Sequence, residues 1–212
     1  MPLIVKDSGE FISVPAGMHL ARCYRIVDKG TQRGFQDKLQ PTVMLQFEIH
    51  GEDEEGRPLV AKDGRPLSQS KSYNCTLSDK SNLRKDLQMW RGRDFTPQEL
   101  RGFELKNVLG AWAMLSVIHK ESNGKTYTKI TAINPVPANI KKAGLPEGVN
   151  ALQVFDIENP DMKIFDSFSE KLKSEITSSP EWQAMHGEGE PVQADPKKSG
   201  GGFEELDDDI PF

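Results

Sequence analysis

The chain predicts a mainly β fold, with three strands, a helical connection and two further strands, followed by a helical extension and a polar tail. Two observations carry this reading. Val43, Leu45, Phe47 and Ile49 recur at every second residue, the period that turns one strand face into a core. Leu83, Leu87 and Trp90 then fall at i, i+4 and i+7, the stripe of an amphipathic helix, with strand-like segments on either side.

Taken in order, residues 18–28 alternate loosely around Cys23, Tyr24, Ile26 and Val27 and read as the first strand. Residues 30–40 are polar and glycine-punctuated, a loop before the second strand at 43–49. From 51 to 70 the chain turns charged and repeats Gly-Arg-Pro-Leu at 56–59 and 64–67, too short for a repeat architecture; an extended, mobile hairpin is expected. The third strand spans 71–77, with Tyr73, Cys75 and Leu77 on one side. Ser78 or Asp79 can cap the helix that follows. Thr96-Pro97-Gln98-Glu99 starts a second, short helix, with Thr96 as cap, Pro97 at the first helical position and Glu99 completing a capping box. Residues 111–118 are apolar on both faces, as in a largely buried strand. Ser122-Asn123-Gly124 turns the chain into a partner strand at 125–136, which Pro135 and Pro137 end. This is the element order of an oligonucleotide-binding (OB) barrel, a five-stranded Greek key with a helix between strands three and four.

The extension at 143–186 is too apolar for a linker, and 162–176 suits one amphipathic helix packing on the barrel or on a second subunit. From 187 onward Gly, Glu, Pro and Lys dominate. About 25 disordered residues there would span roughly 25–30 Å. Three regions are therefore expected: 1–142, 143–186 and 187–212.

Charge divides the same way. Residues 1–142 hold 22 lysines and arginines against 16 carboxylates, a net +6, whereas 143–212 hold 5 against 16, a net −11. A basic body joined to an acidic arm fits a protein that meets phosphates at one end and basic protein surfaces at the other. No apolar run approaches the ~20 residues of a membrane span, and the first residues lack the pattern of a signal peptide, so a cytoplasmic, nucleoid-associated location is expected. Cys23 and Cys75 belong to no Cys-x-x-Cys pair, and two reduced, buried thiols are expected, without disulfide or zinc.

The final segment puts five carboxylates, Glu204, Glu205, Asp207, Asp208 and Asp209, before Ile210-Pro211-Phe212. A ring worth roughly 1.5–3 kcal/mol on burial, with a terminal carboxylate for an Arg or Lys, suits a basic-rimmed apolar pocket on another protein. Asp207-Asp208-Asp209-Ile210-Pro211-Phe212, reached through Gly200-Gly201-Gly202, resembles the C-terminal tip of bacterial single-stranded DNA-binding proteins. The body looks more like a diverged relative of phage or mobile-element type. The resemblance implies an OB barrel that holds single-stranded DNA, a dimer or tetramer of such barrels, and a tip that recruits replication, recombination and repair enzymes.

Sequence-neutral binding of single strands needs cations for phosphates and rings on which bases stack. Arg22, Tyr24 and Arg25 lie together on the first strand, with Tyr24 sharing the parity of Arg22. Arg33, Phe35 and Lys38 place a ring between cations in the first loop, where OB barrels contact nucleic acid. Lys71 with Tyr73, and Tyr127 with Lys125 and Lys129, repeat the theme on strands. Trp90 and Trp112 sit on apolar stripes and are expected in the core. The acidic tip could also occupy the protein's own basic groove.

No catalytic constellation stands out. His19, His50, His119 and His186 lack metal-ligand spacing, and no metal or cofactor is expected. Residues 51–57 mimic the glycine spacing of a phosphate loop but end in Arg and carry four carboxylates that repel a nucleotide. Beside single-strand binding with partner recruitment stand two alternatives, a docking adaptor that does not touch DNA and a strand-annealing recombination mediator.

Overall fold

The computed structural model describes residues 13–53, 55–122 and 124–187. Mainly β, it holds one six-stranded sheet and six short α-helices among these residues. The strands are β1 (Gly17–Arg33), β2 (Leu39–His50), β3 (Ser68–Asn74), β4 (Trp112–Ser122), β5 (Lys125–Asn134) and β6 (Gln153–Phe155). The helices are α1 (Asn82–Arg91), α2 (Pro97–Arg101), α3 (Ala138–Ala143), α4 (Met162–Asp166), α5 (Glu170–Thr177) and α6 (Pro180–His186).

The order across the sheet is β3-β2-β1-β4-β5, all antiparallel, and β6 lies parallel to β1 beside residues 25–27. β1 is long enough to serve two neighbours on one edge. Its first part pairs with β4 from Gly17 to Arg22, and β6 takes over at Arg25. The sheet is open between its ends, where the Gln69 side chain on β3 donates to the Thr128 carbonyl on β5 at 3.0 Å.

The alternation at 43–49 does what its period dictates. Val43, Leu45, Phe47 and Ile49 enter one core with Ala21, Cys23, Ile26, Ala113, Leu115, Val117, Ile130 and Ile133. α1 closes this core with Leu83, Leu87 and Trp90; the Trp90 indole packs 5.6 Å from the Phe47 ring and donates to the Trp112 carbonyl at 2.8 Å. Ser81 is its N-cap, rather than Ser78 or Asp79, and Gly92 at φ 66° ends it in the left-handed region glycine tolerates.

α2 begins as its sequence dictates. Thr96 Oγ1 accepts from the Glu99 amide and Glu99 accepts from the Thr96 amide, with Pro97 at the first helical position. Thr96→Ala removes one half of this box and is expected to cost about 1 kcal/mol, read as a lowered midpoint in urea denaturation with an unchanged slope.

Several expectations need correction. β1 runs on to Arg33, and β3 starts at Ser68 and ends at Asn74, so Cys75 lies outside it and is exposed; Cys23 alone is a buried thiol, its pKa pushed up to about 12 by burial. The two Gly-Arg-Pro-Leu copies do have a structural meaning. Each follows a tight turn, Gly56 bonding back to Asp53 and Gly64 to Ala61, and each ends in a buried leucine, Leu59 and Leu67, whose amides bond to the Gly51 and Leu59 carbonyls. One helix over 162–176 becomes α4 and α5, because Ser169 caps a new start at its Leu172 amide, and α6 follows from a further cap, Ser179.

The extension builds a second core on the sheet's opposite face. Val27 of β1 and Met44 of β2 are buried there under Phe155, Ile157, Phe165, Phe168, Ile176 and Trp182. Gly30, at φ +67°, permits the close approach, since a Cβ there would meet Ser179 Oγ at 2.7 Å. No helix among the described residues is long and apolar enough to cross a membrane.

Candidate functional site

The residues with site chemistry stand on three separate surfaces. On β1 the register breaks between Cys23 and Arg25, so that Cys23 faces Phe47 while Arg25 faces Gln46, and Tyr24 is the extra residue of the bulge. Strict alternation would send Arg25 to the face opposite Arg22. The bulge instead returns it to the outer face, beside the β2 residues Glu48 and Gln46 and the β3 residues Ser68 and Ser70.

Arg22 is occupied. Its Nε donates to Glu48 Oε1 at 2.7 Å, and Nη2 donates to the Asn150 carbonyl. Glu48, with 0 % of its surface exposed, also accepts from the Val149 amide at 3.1 Å and from the Asn150 amide and Nδ2, both at 2.7 Å, with His50 Nε2 3.2 Å away. Burial pushes this carboxyl up. The Asn150 hydrogen bonds, His50 and Arg22 outweigh it, and the pKa lies below the ordinary Glu value. The cluster straps residues 148–150 across the sheet.

Arg25 is held differently. Nε donates to Gln153 Oε1 at 2.7 Å, Nη1 to Gln46 Oε1 at 3.4 Å and Nη2 to Ser167 Oγ at 3.3 Å. The guanidinium lies over the Tyr24 and Phe168 rings at 5.4 and 5.3 Å. Tyr24 is 6 % exposed, its phenol pKa raised by burial, and serves as a platform under Arg25 rather than as an open stacking face.

Lys71 and Tyr73, expected on a binding surface, point instead to the α1 side of the sheet. Asp86 on α1 accepts from the Tyr73 hydroxyl at 2.7 Å and pairs with Lys71 Nζ at 2.7 Å. Tyr73 is core, and burial followed by the Asp86 charge raises its pKa well above the ordinary phenol value. Strand parity groups the two residues correctly but does not reveal which face α1 covers.

The second surface is the β1–β2 connection. Arg33 and Lys38 are exposed there, and Phe35 opens a 3-10 turn at Phe35–Asp37; its side chain lies outside the described residues. The helical layer braces this hairpin, since the Thr31 amide and hydroxyl donate to Glu181 and Lys29 pairs with Glu175 at 2.7 Å. Eight residues separate Arg25 from Arg33, roughly 26 Å along an extended strand. The third surface is the β4–β5 hairpin. Tyr127, 39 % exposed, sits opposite Lys120, and Lys129 sits opposite Ile118; the side chain of Lys125 lies outside the described residues.

A cleft of about 400 Å³ between α1, α2 and β4 is lined in part by Trp90, Arg91, Arg93, Glu99 and Trp112. Trp90 is core, as expected; Trp112 is only half-buried, with His50 against its ring at 4.8 Å. Hydrogen bonds from Arg93, the Thr96 amide and Arg91 hold the Glu99 carboxyl at about 2, so both guanidiniums share one carboxylate. Among the described residues no cluster of three His, Cys, Asp or Glu side chains could hold a metal. The segment Asp207-Asp208-Asp209-Ile210-Pro211-Phe212 lies outside the described residues.

Glu48, Gln46, Gln153 and Ser167 escaped the sequence reading. Glu48 and Gln46 were within reach, since polar residues between the core positions 43, 45, 47 and 49 mark the opposite face of β2. Gln153 and Ser167 were not, because nothing local announces a contact across more than 120 residues. No protein-family model matches the chain, and no curated protein matches it.

Proposed function

We propose that this chain binds single-stranded DNA without sequence preference and recruits DNA-processing proteins through its acidic C-terminal segment. In this reading the sheet is an OB-type barrel. Its support is the order β3-β2-β1-β4-β5, the placement of α1 between β3 and β4, and the approach of β3 to β5 at Gln69 and Thr128. Residues 1–142 then supply the barrel, 143–186 a helical layer on its outer face, and 187–212 a tether ending in the tip that resembles bacterial single-stranded DNA-binding proteins.

The observation that carries the DNA half is Tyr127. Among the described Phe, Tyr and Trp rings it is the exposed one, it stands on a hairpin at the barrel's end, and lysines sit opposite and two residues on. A ring so placed stacks a base while the lysines meet its phosphates, a contact of about 1–3 kcal/mol that every base can make. Arg33 and Lys38 on the β1–β2 connection extend the cationic path, and Lys71, Tyr73 and Arg22 stay with their intramolecular partners.

Gel shifts with oligo(dT) of several lengths at two salt concentrations test this. Binding should weaken steeply with salt, as counterion release demands, and Tyr127→Ala should weaken it at least fivefold at fixed salt. Protein that leaves oligo(dT) unbound even at low salt is not a single-strand binder.

A further inference from the structure

Four arginines are part-buried among the described residues: Arg22, Arg25, Arg84 and Arg91. Three face a carboxylate, Arg22 at Glu48, Arg84 at Asp79 and Arg91 at Glu99. Arg25 does not. Its acceptors are two amide oxygens and a hydroxyl, the Tyr24 phenol against it is neutral, and the charge that acts on it is a second guanidinium, Arg65. Arginine keeps its proton in proteins, and a withdrawn charge without a counterion is costly. The fold nevertheless orients this one with neutral groups that hold it and leave the charge unspent. Two rings fix the plane of the guanidinium. The part-buried donors, Nε and Nη1, are taken by Gln153 and Gln46, while the Nη2 contact to Ser167 lies at the exposed side.

Two of those fixing groups, Gln153 and Ser167, and one ring, Phe168, belong to the 143–186 extension, Gln153 on its strand β6, and not to the five antiparallel strands. Resting on the proposed single-strand binding, we infer that Arg25 is a preformed seat for one backbone phosphate and that Gln153 on β6 is its positioning residue. The layer at 153–168 is thereby a working wall of the nucleic-acid site. Gln153, Gln46 and Ser167 take one N–H from each guanidinium nitrogen, which leaves one N–H on Nη1 and one on Nη2 for phosphate oxygens.

Gln153→Glu in the full chain separates this from a structural role, because a carboxylate keeps the bond to Nε and cancels the charge offered to phosphate. Oligo(dT) affinity should fall about tenfold near 50 mM salt, the slope of log K against log salt should shrink by about 0.7, the share of one phosphate on a single strand, and the melting temperature should not fall. In an Arg25→Met background the same change should cost little more, whereas repulsion of DNA by an added charge would cost as much in both backgrounds. Should Gln153→Glu fail to fold, Ser167→Asp at an exposed position carries the same prediction. Unchanged affinity and slope in a wild type that binds oligo(dT), or equal losses in both backgrounds, overturn the Arg25 seat alone. Absence of wild-type binding overturns the seat together with the function it rests on.

Discussion

Glu48→Ala is expected to remove about 3–5 kcal/mol of folding stability, because it leaves the Arg22 guanidinium withdrawn from water without its counterion. The carboxylate is wholly buried and gathers five groups, Arg22 Nε, the Val149 and Asn150 amides, the Asn150 side chain and His50. Deleting it orphans two backbone N–H groups along with the charge, and each buried unpaired donor has its own cost. Loss on this scale is a large share of a domain's net stability. Urea denaturation followed by tryptophan fluorescence measures it, and a loss under 1 kcal/mol would show that water replaces the carboxylate. The pH dependence has a definite sign. Since the folded-state pKa lies below the ordinary 4.5, this group's contribution is complete above about pH 4.5 and is lost as pH falls through the folded pKa. The wild type should therefore weaken on acidification, and Glu48→Gln should show a shallower acid limb.

Period made the body of the fold legible. Alternation at 43–49, the i, i+4, i+7 stripe of α1 and the Thr96-Pro97-Gln98-Glu99 box each state a local geometry that tertiary packing then used. The start of α6 shares the cap and proline of α2, Ser179-Pro180, but the third helical position is Trp182 and no capping box forms. β6 is a different case. Three residues have no period, and Gln153–Phe155 is a strand only because β1 outruns β4 and offers unpaired backbone at residues 25–27. The bulge at Tyr24 could not be read either. Its consequence for the candidate site is direct, since strand parity alone separates Arg22 from Arg25 and the bulge puts them on one face. Lys71 and Tyr73 show the converse limit, because a strand's period groups its residues without naming the face a helix will cover, and α1 brings Asp86 to them.

Phe155→Ala is expected to destabilise the whole chain by about 3–5 kcal/mol, the range for a large ring truncated in a packed core. Phe155 is 1 % exposed, lies 5.9 and 5.2 Å from the Phe165 and Phe168 rings, and stands beside Val27, its register partner on β1. Its loss opens a cavity on the face of the sheet opposite the Phe47 core, so it discriminates two pictures of the extension. If 143–186 were an independent appendage, the substitution would melt the helices alone, and the β-sheet signal in circular dichroism would keep its wild-type midpoint. β1 contributes Ile26 to one core and Val27 to the other, adjacent residues on one strand. Packing lost beneath Val27 is thus felt in the strand that organises the sheet, and helix and sheet signals should fall together at one lowered temperature. Two separated transitions would assign the extension its own folding unit. The same coupling bears on Arg25, because a layer that unfolds with the sheet is also rigid enough to hold a guanidinium in place, whereas a loosely attached one would leave it free to turn.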